Sequence, residues 1–319
     1  MPELDDSQPR VSVVIPTGGR RPRRLIAALE ALAAQGLPRG QMEVIVSCDP
    51  GVQVPPAPAG LAVRVVEAPA AMGAAANRNL GWREARAPLV AFTDDDCRPA
   101  PGWIEALLSA AAGAPEAFLQ GRTEPDPTEI DALWGFARSM RVTSDSPWQE
   151  SCNIAYPRAL LERLGGFDEG YGLVGGEDTD LGWRALELGA PKRYVEAALV
   201  WHAVEPQSFR QALTRARHTR DQPQVLSRFP ELRRELTLGL FYWPEHALLL
   251  LALAGLLSRR PALAALAAVP YVERHLRHYV LTPKMAAIAA THLPVRAFAD
   301  AITMAVVARR GLERGVLAL

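Results

Sequence analysis

The feature that most constrains the fold is the alternation of β-branched runs with helical spacing through the first third of the chain. Val11-Ser12-Val13-Val14-Ile15 reads as a strand that stops at the turn Pro16-Thr17-Gly18-Gly19. Leu25, Ala28, Leu29, Leu32 and Ala33 then recur at helical spacing, and Gly36 closes the helix. A second strand spans Met42 to Ser47, a Pro-rich loop runs to Gly60, and Leu61 to Val66 makes a third strand. Ala74 to Arg86 reads as a helix and Leu89 to Phe92 as a buried strand. This alternation predicts an α/β fold with a mostly parallel central sheet and helices on both faces.

Further on, Trp103, Leu107, Leu108 and Ala111 mark another helix, and the polar stretch from Gln120 to Trp148 carries no readable period. Cys152 to Tyr156 is a short strand, followed by a helix from Pro157 to Leu164 with a Gly165-Gly166 stop. A Gly-rich loop, Gly170 to Gly176, leads into a helix defined by Leu181, Ala185 and Leu188, and Tyr194 to Trp201 is a strand ending at His202.

Three places carry potential chemistry. Asp94-Asp95-Asp96 follows the strand Leu89–Phe92, where open α/β sheets bind ligands. A hard divalent cation is the natural partner for carboxylates there, and a solvated acidic turn before a helix is the alternative. Glu177, Asp178 and Asp180 stand at a helix start, where an ionised carboxylate serves either as a cap or as a general base. His202 at a strand end is either structural or a ligand completing a site begun by the acids. The turn from Pro16 to Arg21 lacks the spacings of a P-loop or a dinucleotide fingerprint. Arg20, Arg21, Arg23 and Arg24 beside it form a solvated charged face, or one of them meets a diphosphate.

Taken together, the pieces resemble the family-2 inverting glycosyltransferases, which have a GT-A, nucleotide-diphospho-sugar-binding fold. The matching residues are Val11 to Thr17, Arg78-Asn79-Leu80-Gly81, Phe92 to Asp96, Asn153 to Tyr156, Gly165 to Glu169, Gly176 to Leu181 with Arg184, and Val200-Trp201-His202, all in the family's order. The resemblance implies a Mg2+ or Mn2+ cofactor held by Asp96 and His202, with Asp94 or Asp95 near the metal or the ribose. It implies Asp178 as catalytic base, Pro16, Thr17, Asp49 and Arg78 around the donor nucleotide, and Asn153 and Glu177 on the acceptor side. The donor is expected to be UDP- or GDP-linked. Two departures bear on this choice: Cys48 stands where an acid is expected, and Gly18-Gly19-Arg20 replaces an aromatic and Asn before Arg. Both shape the nucleotide end of the pocket. A leaving diphosphate calls for a divalent ion, and an attacking hydroxyl calls for one base.

The 319-residue chain divides in composition near residue 205. Residues after it hold 16 Lys+Arg and 7 Asp+Glu, against 19 and 28 before it, so a net charge of zero hides +9 and −9. The expected organisation is a catalytic domain over 1–205 and a helical, basic and apolar region over 206–319. Phe209 to Arg220 reads as a basic helix, and Ala247 to Leu257 and Pro261 to Val272 as apolar runs too short to cross a hydrocarbon core of about 30 Å. They form a hairpin packed on the catalytic domain or lying in a membrane interface, where the Arg pairs suit an anionic inner leaflet. Nucleic acid is not expected, because the basic residues alternate with aliphatic runs rather than stacking aromatics. Three unpaired-looking cysteines and a polar N-terminus lead to the expectation of a cytoplasmic protein, peripheral on the inner face of the cell membrane. The acceptor expected is a lipid-linked or cell-envelope glycan. A soluble small-molecule or peptide acceptor, and a catalytically silent sugar-nucleotide-binding protein, are the alternatives.

Overall fold

A computed structural model describes residues 8–133, 136–171, 175–216, 222–276 and 283–319. The chain forms two compact units: residues up to 130 with 139–204, and residues 131–138 with 205–319. The short segment 131–138 therefore belongs to the second unit.

The first unit is built on eight strands: β1 (Val11–Thr17), β2 (Met42–Cys48), β3 (Val63–Glu67), β4 (Leu89–Thr93), β5 (Cys97–Pro99), β6 (Phe118–Pro125), β7 (Asn153–Pro157) and β8 (Lys192–His202). Its helices are α1 (Pro22–Ala33), α2 (Ala74–Arg83), α3 (Trp103–Gly113), α4 (Arg158–Leu164) and α5 (Glu177–Glu187). The sheet order is β3-β2-β1-β4-β7-β6-β8-β5. Pairing is parallel across β3-β2-β1-β4 and between β6 and β8, whereas β7 runs antiparallel to both its neighbours and β5 antiparallel to β8.

Alternate residues of the central strands feed two cores, as a period of two requires. Val11, Val13 and Ile15 of β1 pack with Leu25, Leu29, Leu32, Trp103 and Leu107 on one face. Val14, Ile45, Val90 and Phe92 pack with Trp82, Leu161, Phe167 and Leu181 on the other. Strands buried on both faces read as continuous apolar runs, which is why β1, β2 and β4 were legible.

β6 was not legible. It lies between β7 and β8, yet its sequence Phe118–Pro125 carries Gln120, Arg122, Thr123 and Glu124. A register shift between Gly121 and Arg122 breaks the alternation further. Gly121 is required there, because a Cβ would run into Asn153 and the carbonyl of Ala198. α2 also ends earlier than its spacing suggests, at Arg83. Beyond it the chain is drawn onto a buried acid: Glu43 accepts from the Arg86 backbone N–H at 2.8 Å and from Ser12 Oγ at 2.7 Å.

The second unit is helical: α6 (Phe209–Ala216), α7 (Gln222–Arg228), α8 (Pro244–Leu257), α9 (Pro261–Leu276) and α10 (Pro283–Glu313). The expected basic helix from Phe209 is described as far as Ala216, and residues 217–220 lie outside the described residues. The two apolar runs form α8 and α9, which pack closely enough that a Cβ on Gly255 would lie 2.5 Å from the Ala264 backbone nitrogen. Phe241, Leu249, Tyr271 and Met304 form their core, and Tyr271 donates its hydroxyl to Asp300 at 2.8 Å. Among the described residues no helix is long and apolar enough to cross a membrane.

Candidate active site

Parallel pairing of β1 with β4 brings the turn after β1 and the acid triplet after β4 to one edge of the sheet. Thr17 donates its hydroxyl to Asp95 Oδ2 at 2.6 Å, and its own Oγ1 accepts from the Gly19 N–H at 3.1 Å. Arg21 Nη1 lies 3.2 Å from Asp95 Oδ1 and 3.1 Å from Asp96 Oδ2. Burial raises Asp95 above the usual carboxylate range, against the lowering effect of Thr17 and Arg21. Pro16 is buried inside β1 opposite Ser47, and Thr17 pairs with Cys48. Asp49 follows directly and accepts from Asn77 Nδ2 at 2.9 Å. Cys48 is itself buried, and its thiol is raised by that burial and by Glu67 and Asp49.

Arg78, on α2, is 4 % exposed and joins the two acid clusters. Its Nη2 donates to Asp94 Oδ1 at 2.8 Å and its Nη1 to Glu177 Oε1 at 3.0 Å. Burial opposes its charge, and the two carboxylates more than offset that. The neighbouring Asn79 holds the far wall: it donates to the Phe167 carbonyl at 2.8 Å and accepts from the Phe167 N–H at 2.8 Å and from Trp82 Nε1 at 2.9 Å. Gly166, at φ 82°, leaves room for that Asn79–Trp82 contact. Arg184 fastens α5 to the same turn, donating to Asp180 at 2.6 Å and to the Leu164 and Gly166 carbonyls at 2.8 and 2.7 Å. Much of the sequence motif around residues 165–184 is therefore a clamp that presents the start of α5.

What it presents is Glu177 and Asp178. Asp178 Oδ1 accepts from the Thr179 N–H at 2.8 Å and Oδ2 from the Ser151 N–H at 3.3 Å. Burial pushes its carboxyl up to about 7, Glu177 adds to the rise, and Arg78 opposes it. Glu177 Oε2 is buried with no hydrogen-bond partner among the described residues. Of the Gly-rich loop leading into α5, residues 172–174 lie outside the described residues.

The acids also meet a histidine. Antiparallel pairing of β5 with β8 sets Cys97 opposite His202, and the Ala203 N–H donates to the Asp96 carbonyl at 2.9 Å. His202 Nδ1 lies 2.8 Å from the Ala203 carbonyl, which fixes the proton on that nitrogen and leaves a lone pair on Nε2. Nε2 is 3.8 Å from Asp96 Oδ1. Two atoms at that separation can share one cation at about 2.1 Å from each, so nitrogen and carboxylate fit a divalent ion. Cys97 joins the same cluster, but burial and the adjacent Cys152 hold its thiol well above its usual value, and a neutral thiol is a poor ligand for a hard ion.

One residue expected on the acceptor side also makes contacts in the core. Asn153 is 1 % exposed, donates to the Arg122 and Ala198 carbonyls at 2.7 and 2.8 Å, and accepts from Trp103 Nε1 at 2.8 Å. Its amide ties β6, β8 and α3 together, with both of its N–H groups engaged. Two contributors were not singled out from the sequence. Ser151 acts through its backbone N–H, which no sequence pattern marks. Arg21 was indistinguishable within a run of four arginines, of which Arg20 and Arg23 are exposed and Arg24 is tied to Glu129 at 3.2 Å and the Val204 carbonyl at 3.0 Å.

The chain is similar to known proteins in part of its sequence and in its fold. Residues 12–135 match the family model Glycosyl transferase family 2. The pre-mycofactocin glycosyltransferase of Mycobacterium tuberculosis is 34 % identical over 152 residues, covering 44 % of this chain and 32 % of that protein. The validoxylamine A glucosyltransferase of Streptomyces hygroscopicus subsp. jinggangensis is 29 % identical over 231 residues, covering 60 % of this chain and 54 % of its own. The chain thus spans a third to about half of the length of these relatives. Among solved structures, the mannosyltransferase PcManGT from Pyrobaculum calidifontis, in complex with GDP-Man and Mn2+, superposes with a TM-score of 0.57 at 22 % identity, over 96 % of this chain and 87 % of that one. S. aureus TarS 1–349 in complex with UDP-GlcNAc gives 0.50 at 14 % identity, over 96 % and 92 %. These structural likenesses show the fold. Residues 12–135 are thus similar to glycosyl transferase family 2, and the chain has the GT-A fold.

Proposed function

We propose that the first unit transfers a sugar from a nucleoside-diphosphate donor, UDP- or GDP-linked, to a hydroxyl acceptor with inversion at the anomeric carbon. The observation that carries this reading is the separation of two kinds of acid across Arg78. Asp94, Asp95 and Asp96 sit among cations and a histidine, whereas Asp178 is a half-buried carboxyl raised to about 7. The relatives are glycosyltransferases, and the fold neighbours were solved in complex with GDP-Man and Mn2+ and with UDP-GlcNAc.

In this mechanism Thr17 and Asp49 border the nucleotide end, at the carboxyl edges of β1 and β2. Arg78 orients Asp94 toward the donor and Glu177 toward the acceptor side. Asp96 and His202 would hold Mg2+ or Mn2+, with Asp94 or Asp95 close by, and the ion supplies neutralisation of the charge that develops on the leaving diphosphate. Asp178 takes the proton from the attacking hydroxyl at Oδ1 or Oδ2, its orientation set by the Thr179 and Ser151 N–H groups. A single base, with attack from the face opposite the leaving group, inverts the centre. The test is a donor-turnover screen with Mn2+ over UDP- and GDP-sugars, with the product anomer read by NMR. Slow hydrolysis of at least one donor with inversion is expected; retention, or no turnover of any donor, overturns the reading.

A membrane-linked acceptor, lipid-linked or from the cell envelope, is favoured by the second unit over a soluble one. Leu256 and Leu257 at the end of α8 are 65 % and 86 % exposed, and Leu266 and Val269 of α9 are 72 % and 66 % exposed. Arg259 and Arg260 lie in the intervening turn. Exposed leucines beside paired arginines suit the interface of an anionic bilayer on the cytoplasmic side.

A further inference from the structure

The acid pair that would receive the ion already holds a cation. A single nitrogen, Arg21 Nη1, stands 3.2 Å from Asp95 and 3.1 Å from Asp96, bridging two carboxylates much as a metal does. The backbone beneath it is set by the start of α1. Pro22 takes the first helical position, and the Arg21 carbonyl accepts from the Arg24 and Leu25 N–H groups at 3.0 and 3.1 Å. The side chain is 32 % exposed, so the guanidinium has a path outward.

We infer that Arg21 is the resident counter-cation of the Asp95–Asp96 pair, displaced when a divalent ion binds, and that it thereby couples ion loading to capture of the donor diphosphate. This rests on the metal-dependent reading above. Arg21 occupies Asp96 Oδ2 and Asp95 Oδ1, and an ion held by Asp96 Oδ1 and His202 would share the Asp96 carboxylate with it, so the two positive charges compete for the same acids. Without either cation, adjacent carboxylates in a buried setting repel one another. Once displaced, the guanidinium remains beside the site as a planar fork matched to phosphate oxygens. Ion and diphosphate then favour each other's binding, and by linkage the effect is reciprocal.

The experiment titrates Mn2+ into the full chain without nucleotide, following free Mn2+ by its electron paramagnetic resonance signal. Arg21→Ala is expected to bind Mn2+ more tightly than wild type, by about five- to a hundredfold. Arg21→Gln should do the same if the Ala variant folds poorly. Arg23→Ala, which removes the same charge from an exposed position, is expected to follow wild type. Adding UDP or GDP should tighten Mn2+ binding more in wild type than in Arg21→Ala. Unchanged or weaker Mn2+ binding in both Arg21 variants, with normal binding by wild type, overturns the inference and leaves the metal reading intact. Absence of Mn2+ binding in every variant overturns both.

Discussion

Arg78 touches both acid clusters at once, with Nη2 2.8 Å from Asp94 Oδ1 and Nη1 3.0 Å from Glu177 Oε1. The guanidinium is nearly buried, so removing it strands two carboxylates. Breaking a buried pair from one side costs about 3–5 kcal/mol. Arg78→Met is expected to lower the unfolding free energy by an amount of that order, read by urea denaturation.

The same residue sets a pH dependence. Asp178 must lose its proton to act as base, so kcat/KM is expected to rise with pH through an acidic limb near its value of about 7. Arg78 holds that value down, so Arg78→Met moves the limb to higher pH. The effect on stability has the opposite sense. The folded form keeps the Asp178 proton to higher pH than the unfolded chain, so this group's contribution falls as pH rises from its ordinary value of 3.8 toward 7. Asp178→Asn removes that decline, which urea midpoints at about pH 5 and about pH 8 would show.

His202 is expected to act on ion affinity rather than on folding. It lies at the edge of the sheet with Nε2 facing Asp96. Calorimetry of UDP and GDP with and without Mn2+ should show His202→Ala losing metal-dependent affinity by about 10- to 100-fold, with metal-free affinity unchanged. Equal loss in both conditions would point to a structural role.

What the sequence disclosed follows from where burial is complete. β1, β2 and β4 announce themselves because both faces are apolar, and Asp94 to Asp96 stand out because they end such a strand. β6 stayed hidden because its polar residues pair with specific partners, such as Gln120 with Glu150 at 2.6 Å. Asn153 shows a related limit, since its amide also makes core contacts. A motif position shows that a residue matters, but not whether its amide faces a ligand or three neighbours in the core. Arg21 was lost among its neighbours, since local sequence does not say which of four arginines the turn directs inward.

The Gly166 turn offers a test of the clamp around α5. A methyl group there would meet Asn79 and Trp82, on a backbone at φ 82°. Gly166→Ala should cost about 1–3 kcal/mol in urea denaturation and lower transfer, because the turn positions Asp178 through Arg184.

The apolar tip of the second unit predicts binding to vesicles. Wild type is expected to co-sediment with phosphatidylglycerol vesicles more than with phosphatidylcholine, and Leu257→Glu with Leu256→Glu to lose that binding while donor turnover persists. Equal recovery in the supernatant with and without anionic vesicles would remove the membrane argument.

The division of labour between the acid triplet and Asp178 is tested most directly by Asp178→Asn in a paired measurement of donor binding and sugar transfer. A positioned base contributes about 10²- to 10⁴-fold. The predicted result is transfer reduced by that factor with sugar-nucleotide affinity in the presence of Mn2+ close to wild type. Transfer that survives in Asp178→Asn, or donor affinity that falls along with it, would contradict the assignment of proton chemistry to Asp178.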